Sequence, residues 1–326
     1  MQVLCSSRRA FLRRGLAATA TIAVFKMPAV VTGAAEMNFK YQAIRLGGPV
    51  FLKTSDPKEL AEAHRKLGYR AAYCPNMSLS EPDRIKAFAE AFAQQDVVIA
   101  EVGRWVNLLD NDAEKRKKNL QTVTEGLALA EAIGARCCVD IAGSFSPTSW
   151  FGPHRENLSQ RHFDACVENA RKIIDAVKPK RTVFSYEVMG WSWPDTADHY
   201  LKLIKAIDRK GFGVHLDPCN MVNCPEKFYD NTALLKECFD KLGRYIASCH
   251  AKDLAWETEM NIHFREVEPG KGALDYTTYL QRVAALPQNP PLMLEHLATA
   301  EEYDRARQHI FDVGHQAGLS FGVEPG

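Results

Sequence analysis

Apolar residues along this chain come in short runs, separated by longer stretches in which they recur every three or four positions. The short runs are rich in β-branched and aromatic residues. They fall at 41–46, 69–73, 97–102, 137–142, 182–187, 212–217, 245–250 and 291–295, and each predicts a strand. The stretches between them read as amphipathic helices with marked ends. Asp56-Pro57 starts the first, with Leu60, Ala63, His64 and Leu67 on one face and Gly68 as its stop. Ser80-Glu81-Pro82-Asp83 has capping-box spacing ahead of Ile85, Phe88 and Phe92. Asp112 opens a long helix that Gly134 closes. Asn231 opens another, with Leu235, Cys238, Phe239 and Leu242 facing inward and Gly243 at its end. Thr299 with Glu302 caps the last.

Eight strand-then-helix units in one direction predict parallel strands joined by crossover helices. Eight is also the number that closes a barrel. The predicted fold is therefore α/β, a single-domain (β/α)8 TIM barrel over residues 36–326. An open doubly wound sheet is the alternative, but no G-x-G-x-x-G follows the first strand. The connections after strands four, six and seven (143–157, 218–230 and 251–274) are long, whereas those before strands (134–136, 210–211 and 243–244) are tight. That asymmetry puts the working face at the C-terminal mouth.

The first 35 residues read differently. Ser7-Arg8-Arg9-Ala10-Phe11-Leu12-Arg13 carries paired arginines, Gly15 to Phe25 is a short, weakly apolar stretch, and small residues follow at Thr32-Gly33-Ala34-Ala35. The segment resembles a twin-arginine signal, read by the export machinery that carries folded proteins and then removed. A basic amphipathic arm is the alternative. The apolar run is too short to span a bilayer, and no later one does better. The expectation is an exported, periplasmic protein without a membrane span. A formal net charge of +1 gives no electrostatic case for nucleic acid. The nine cysteines show no C-x-x-C pair or zinc-ribbon spacing, so most read as small buried apolar residues.

The last four strands end on metal-ligand residue types: Thr182-Val183-Phe184-Ser185-Tyr186-Glu187, Gly213-Val214-His215-Leu216-Asp217, Tyr245-Ile246-Ala247-Ser248-Cys249-His250 and Pro291-Leu292-Met293-Leu294-Glu295. One such residue alone is more often a helix cap or a solvated charge. Four in series, 30 to 45 residues apart, put three carboxylates and an imidazole at one edge of the barrel. Three hard oxygens with one imidazole suit Mn²⁺ first, with Mg²⁺, Co²⁺ or Zn²⁺ as alternatives. Cys249 points to the opposite face of its strand from His250.

At these residues the chain resembles the xylose isomerase-like barrel superfamily, which includes sugar phosphate isomerase/epimerase-like proteins and ketose 3-epimerases. The resemblance covers about residues 40–320. It rests on Tyr186-Glu187, His215-Leu216-Asp217-Pro218, His250-Ala251-Lys252-Asp253, Arg265 followed by Pro269-Gly270-Lys271-Gly272, and Leu294-Glu295-His296. It implies that Glu187, Asp217, His250 and Glu295 hold the metal, that the two glutamates flank the substrate, and that Arg265 touches it. One position departs. Ketose epimerases usually carry histidine three residues after the strand-six aspartate, whereas Asn220 stands here and an amide cannot relay a proton.

Trp191 and Trp193 on the strand-five loop and Trp150-Phe151 on the strand-four loop are candidate platforms for sugar C–H faces, with loop packing as the alternative. Glu101, Trp105 and Arg45 are further pocket candidates. His215 shares a face with Asp217 one layer deeper, and a hydrogen-bonded core histidine is its favoured reading. Lys252 can orient an oxygen near the metal or pair with Asp253. Gly270-Lys271-Gly272 is better read as a plain turn than as a phosphate cradle.

The predicted reaction is isomerisation or epimerisation of a non-phosphorylated keto-sugar, by proton transfer between Glu187 and Glu295 through a metal-stabilised enediolate. Export argues against a sugar phosphate, which is an intracellular metabolite. A 3-keto-glycoside lyase working by β-elimination would share the first step. A non-catalytic sugar-binding barrel is a third reading, although binding alone needs no flanking bases. An endonuclease IV-type enzyme would need more histidine ligands and a basic surface. The expected partner is a small sugar, and homo-oligomerisation stays open.

Overall fold

A computed structural model describes residues 41–322, so the signal reading of residues 1–35 lies outside the described residues. The barrel strands begin with β1 (Arg45–Gly47), β2 (Ala71–Tyr73), β3 (Val98–Gly103) and β4 (Cys137–Asp140). They continue with β5 (Val183–Glu187), β6 (Phe212–Leu216), β7 (Ile246–Ala251) and, after a hairpin of β8 (Asp253–Glu257) and β9 (His263–Val267), β10 (Pro291–Leu294). All eight barrel strands are parallel and close in the order β1-β10-β7-β6-β5-β4-β3-β2. The helices packed around them are α1 (Pro57–Lys66), α2 (Pro82–Gln94), α3 (Ala113–Ile133), α4 (Gln160–Val177) and α5 (Ala197–Ile207). Short α6 (Pro218–Met221) and α7 (Pro225–Tyr229) precede α8 (Asn231–Leu242), α9 (Tyr276–Ala284) and α10 (Ala300–Gln316). This is a (β/α)8 TIM barrel. Among the described residues no helix is long and apolar enough to cross a membrane.

The main core lies between the strands' outer faces and the helices. In α4, Phe163, Cys166, Ala170, Ile173 and Ile174 recur at helical spacing and are all buried, so one stripe seals one stretch of barrel wall. Burying a side chain such as Ile173 contributes roughly 1.5–3 kcal/mol. Inside the barrel, Ala71, Ala100 and Met293 form a small separate apolar layer. Gly47 is required beside it, because an added Cβ would come within 2.4 Å of the Ala71 carbonyl oxygen. Between the layers, the Tyr200 hydroxyl bridges β5 and β6 through the Tyr186 and Gly213 carbonyls and accepts the His215 N–H.

Asp56, Asp112 and Thr299 cap as the sequence predicts, the last in a full capping box. Four details differ. Gln42 and Ile44 donate to the carbonyls of Ala284, at the end of α9, and Ser320, beyond α10, rather than to a neighbouring strand, so β1 starts only at Arg45. Arg45 therefore stands at the strand's N-terminal end, bound to Asp96 at 2.9 Å and away from the mouth. The Glu81 side chain accepts the Ser78 N–H instead of capping α2. Asp230, one residue before the expected Asn231, caps α8, and Gly243 continues into a 3-10 turn. All eight described cysteines are free, and six are buried.

The β8–β9 hairpin and the turn after it hang on Asp253. Its carboxylate accepts the N–H groups of Leu254, Gly270, Gly272 and Leu274 at 2.8–3.0 Å. Lys252-Asp253 is thus no local ion pair, and the Gly270-Lys271-Gly272 turn already holds an anion of its own. Asp253→Ala strands these donors. A loss of about 2–4 kcal/mol in urea unfolding is expected from unpaired N–H groups, and an unchanged midpoint would show that the carboxylate is not the anchor.

Candidate metal centre

Glu187 ends β5, Asp217 follows β6, His250 lies near the end of β7 and Glu295 follows β10. One ligand atom from each lies within 4.8 Å of all the others. His250 Nδ1 is 2.8 Å from Glu295 Oε1, 3.1 Å from Glu187 Oε1 and 3.6 Å from Asp217 Oδ2. Asp217 and His250 are fully buried, and Glu187 is nearly so. The series read from the sequence does converge on one point.

The donor chemistry fits a divalent ion. Asp217 Oδ2 and Glu295 Oε1 are buried without a hydrogen bond. Lys252 Nζ stands 2.7 Å and 2.8 Å from these oxygens, so attraction is present but hydrogen-bond directionality is not. Lone pairs left over in this way, on hard oxygens facing an imidazole nitrogen, suit metal coordination.

A second layer aims the ligands. Glu101 is buried beneath them; it accepts from His215 Nε2 at 2.8 Å, from Ser248 Oγ at 3.1 Å and faces His250 Nε2 at 3.2 Å. With Nε2 held by that carboxylate, His250 turns Nδ1 toward the metal point, an arrangement common behind metal-bound imidazoles. A bulge makes this geometry: the register of β3 against β2 shifts between Ala72 and Tyr73, which turns Glu101 inward after inward-facing Ala100. His215 is the deeper, hydrogen-bonded core histidine, so neither it nor Glu101 is a substrate contact.

Electrostatics couple the group. Burial raises the Glu187 carboxyl, partly offset by His250. At Glu295 burial acts the same way, but the His250 charge and contact together with the Lys252 charge outweigh it and pull the group down to about 2. Lys252 and His250 overcome burial to hold Asp217 well below the carboxylate range. His215 and His250 do the same for Glu101. Burial disfavours the His250 and Lys252 cations, yet the surrounding carboxylates raise both.

Above the cluster lies a cavity of about 460 Å³. Glu187, Asn220, Lys252 and Glu295 line it together with Trp105, Trp150, Phe151 and Trp191. Asn220 Nδ2 donates to Glu187 Oε1 at 3.1 Å while its Oδ1 accepts from Lys252 Nζ at 3.1 Å. Two residues expected at the substrate lie elsewhere. Trp193 is buried, stacked on His199 at 3.8 Å and edge-on to Phe163. Arg265 sits on the outer face of β9, 64% exposed and 2.8 Å from Glu257. Strand alternation turns its neighbour Glu266 into the cavity instead, where it meets His296 at 3.1 Å. Sequence reasoning misses Glu266 and His296 as pocket residues. The hairpin that selects between Arg265 and Glu266 reads as loop in the sequence, although His296 adjoins the Leu294-Glu295 motif.

A family model for the xylose isomerase-like TIM barrel matches residues 61–312. The chain belongs to the xylose isomerase-like TIM barrel family. No curated protein matches it. Among solved structures it is similar to D-psicose 3-epimerase from Clostridium cellulolyticum, with TM-score 0.60 and 15% identity over 84% of this chain and 99% of that one. It is also similar to 3-keto-D-glucoside 4-epimerase from E. coli, with TM-score 0.59 and 14% identity over 83% and 98%. Endonuclease IV from Thermus thermophilus is as near, with TM-score 0.59 and 17% identity over 82% and 97%. At such identities the likeness shows the fold alone, and that fold carries several chemistries.

Glu101→Gln should weaken Mn²⁺ binding about 10–100-fold by calorimetry, as loss of a ligand's outer partner usually does. Wild-type affinity in a folded variant would remove Glu101 from ligand positioning.

Proposed function

We propose that the protein is a divalent-metal-dependent isomerase or epimerase of a non-phosphorylated keto-sugar or sugar derivative. The observation that carries this is the pairing of Glu187 and Glu295 in one ligand cluster on the floor of an open cavity. Glu187, Asp217, His250 and Glu295 would hold a divalent ion, Mn²⁺ by preference, which when bound would supply Lewis acidity toward a carbonyl oxygen and so acidify the adjacent C–H. One glutamate then takes that proton and the other returns one to the opposite face of the carbon. Asn220 has its amide committed to Glu187 and Lys252 and cannot relay protons, which leaves the glutamates to carry them. Lys252 offers a cation to a sugar oxygen at the polar wall.

The neighbouring keto-glucoside and ketose epimerases support a sugar substrate. Export by the twin-arginine route, proposed from Arg8-Arg9, supports a non-phosphorylated one. A single imidazole among the ligands and a net charge of +1 weigh against nucleic-acid chemistry. β-Elimination from a 3-keto-glycoside begins with the same proton removal and differs only in what leaves next.

Metal-loaded protein incubated in D₂O with free ketohexoses and with a 3-keto-glucoside, followed by NMR, tests the proposal. Deuterium at the carbon beside the ketone of an intact sugar is expected. Released aglycone would instead mark the lyase, and no change in any substrate would leave a binding protein. Glu187→Gln and Glu295→Gln should each lower turnover by about 10²–10⁴-fold or more. Full activity in either variant removes that carboxylate from the proton path. Chelation should abolish exchange, with Mn²⁺ restoring it.

A further inference from the structure

The cavity above the metal centre is divided by chemistry. Its charged and amide side chains, Glu187, Asn220, Lys252, Glu266 and Glu295, together with His296, are carried on β5 and the segments that follow it. The other lining residues, Trp105, Ile141, Trp150, Phe151, Met189 and Trp191, come from the connections after β3, β4 and β5 and include no carboxylate, amide or hydroxyl side chain; Met189 adjoins Asn220 at 3.6 Å. The aromatic members are each 40–42% exposed, which leaves a contiguous apolar surface open beside a charged centre.

This wall is built in place. The Trp191 indole N–H donates to the Phe151 carbonyl at 2.6 Å. The Phe151 ring meets Trp150 edge-on at 5.0 Å and Trp191 at 6.4 Å with a 45° tilt, so the rings form a corner rather than one flat shelf. Buried Asn157 holds the loop beneath, accepting the Phe145 N–H at 3.2 Å and donating to the Gly152 carbonyl at 3.1 Å. After β3, Gly103 lets the Trp105 indole lie against the strand end; a Cβ there would sit 2.8 Å from its nitrogen.

We infer that this apolar half is a subsite for an aromatic aglycone, so that the substrate is an aryl glycoside whose sugar ring is the part brought to the metal. The inference rests on the sugar proton-transfer reading and names its substrate class. A cavity of about 460 Å³ falls in the range of about 300–1,000 Å³ that encloses ligands larger than one sugar ring. A second sugar is the weaker occupant. Its hydroxyls would lose water against a wall that offers side-chain acceptors to none of them. A flat aromatic ring loses little hydration and gains edge and face contacts from the corner.

The test uses the Mn²⁺-loaded full chain and unoxidised ligands that bind without reacting: phenyl glucosides of both anomers, methyl glucosides and cellobiose. Dissociation constants come from calorimetry and tryptophan fluorescence. One phenyl anomer should bind about tenfold or more tighter than its methyl counterpart and than cellobiose. Trp150→Ala should close that gap, while Trp150→Phe should keep most of it. Mn²⁺ titration of each variant verifies the fold. Equal binding of phenyl and methyl glucosides, no binding of either phenyl anomer, tightest binding of cellobiose, or a gap that survives Trp150→Ala would each overturn the subsite. Absence of deuterium exchange with a sound phenyl preference would count against the reaction and not against the subsite.

Discussion

Three carboxylates driven together in a nearly water-free space would repel one another strongly, and the rest of the architecture answers that constraint. Each pair of buried like charges loses both hydration and screening. His250 and Lys252 supply positive charge between Glu187, Asp217 and Glu295, at separations of 2.7–3.9 Å. The ligands ride on hydrogen-bonded strands, so the repulsion cannot relax by backbone movement. Glu101 adds a fourth carboxylate below, where the two imidazoles meet it. Charges that do not cancel within hydrogen-bond geometry leave a cluster able to take up a cation.

Much of this was legible because strand ends are legible. An apolar run that stops on Glu, Asp or His fixes the residue's height in a barrel, and alternation fixes its face. The same logic placed Cys249 opposite His250. Legibility failed wherever one residue of register decided the outcome. The bulge in β3 turned Glu101 from a mouth residue into a support under His250. An unforeseen hairpin put Glu266 in the cavity and Arg265 in solvent. Arg45 fell to the far end because the residues before it have no partner strand. Trp193 joined the core through Phe163 and His199, contacts that leave no trace in the pattern of its own loop.

Strand ends and loops also divide the work at the mouth. The four candidate ligands come from the ends of four adjacent barrel strands, so their mutual distances are set by the barrel. The aromatic corner comes from the connections after β4 and β5, held by Asn157 and the Trp191–Phe151 bond. The ligand cluster and the aromatic corner thus have separate mechanical supports.

Asp253 carries that separation further. One carboxylate grips both the departure of the hairpin at Leu254 and its return at Gly270, Gly272 and Leu274. The excursion between is a closed loop clipped at its base, two residues beyond the end of β7. Glu266 on that excursion reaches back to the cluster, 3.8 Å from Lys252 and 3.1 Å from His296, so a single clip sets how this wall of the cavity meets the charged centre.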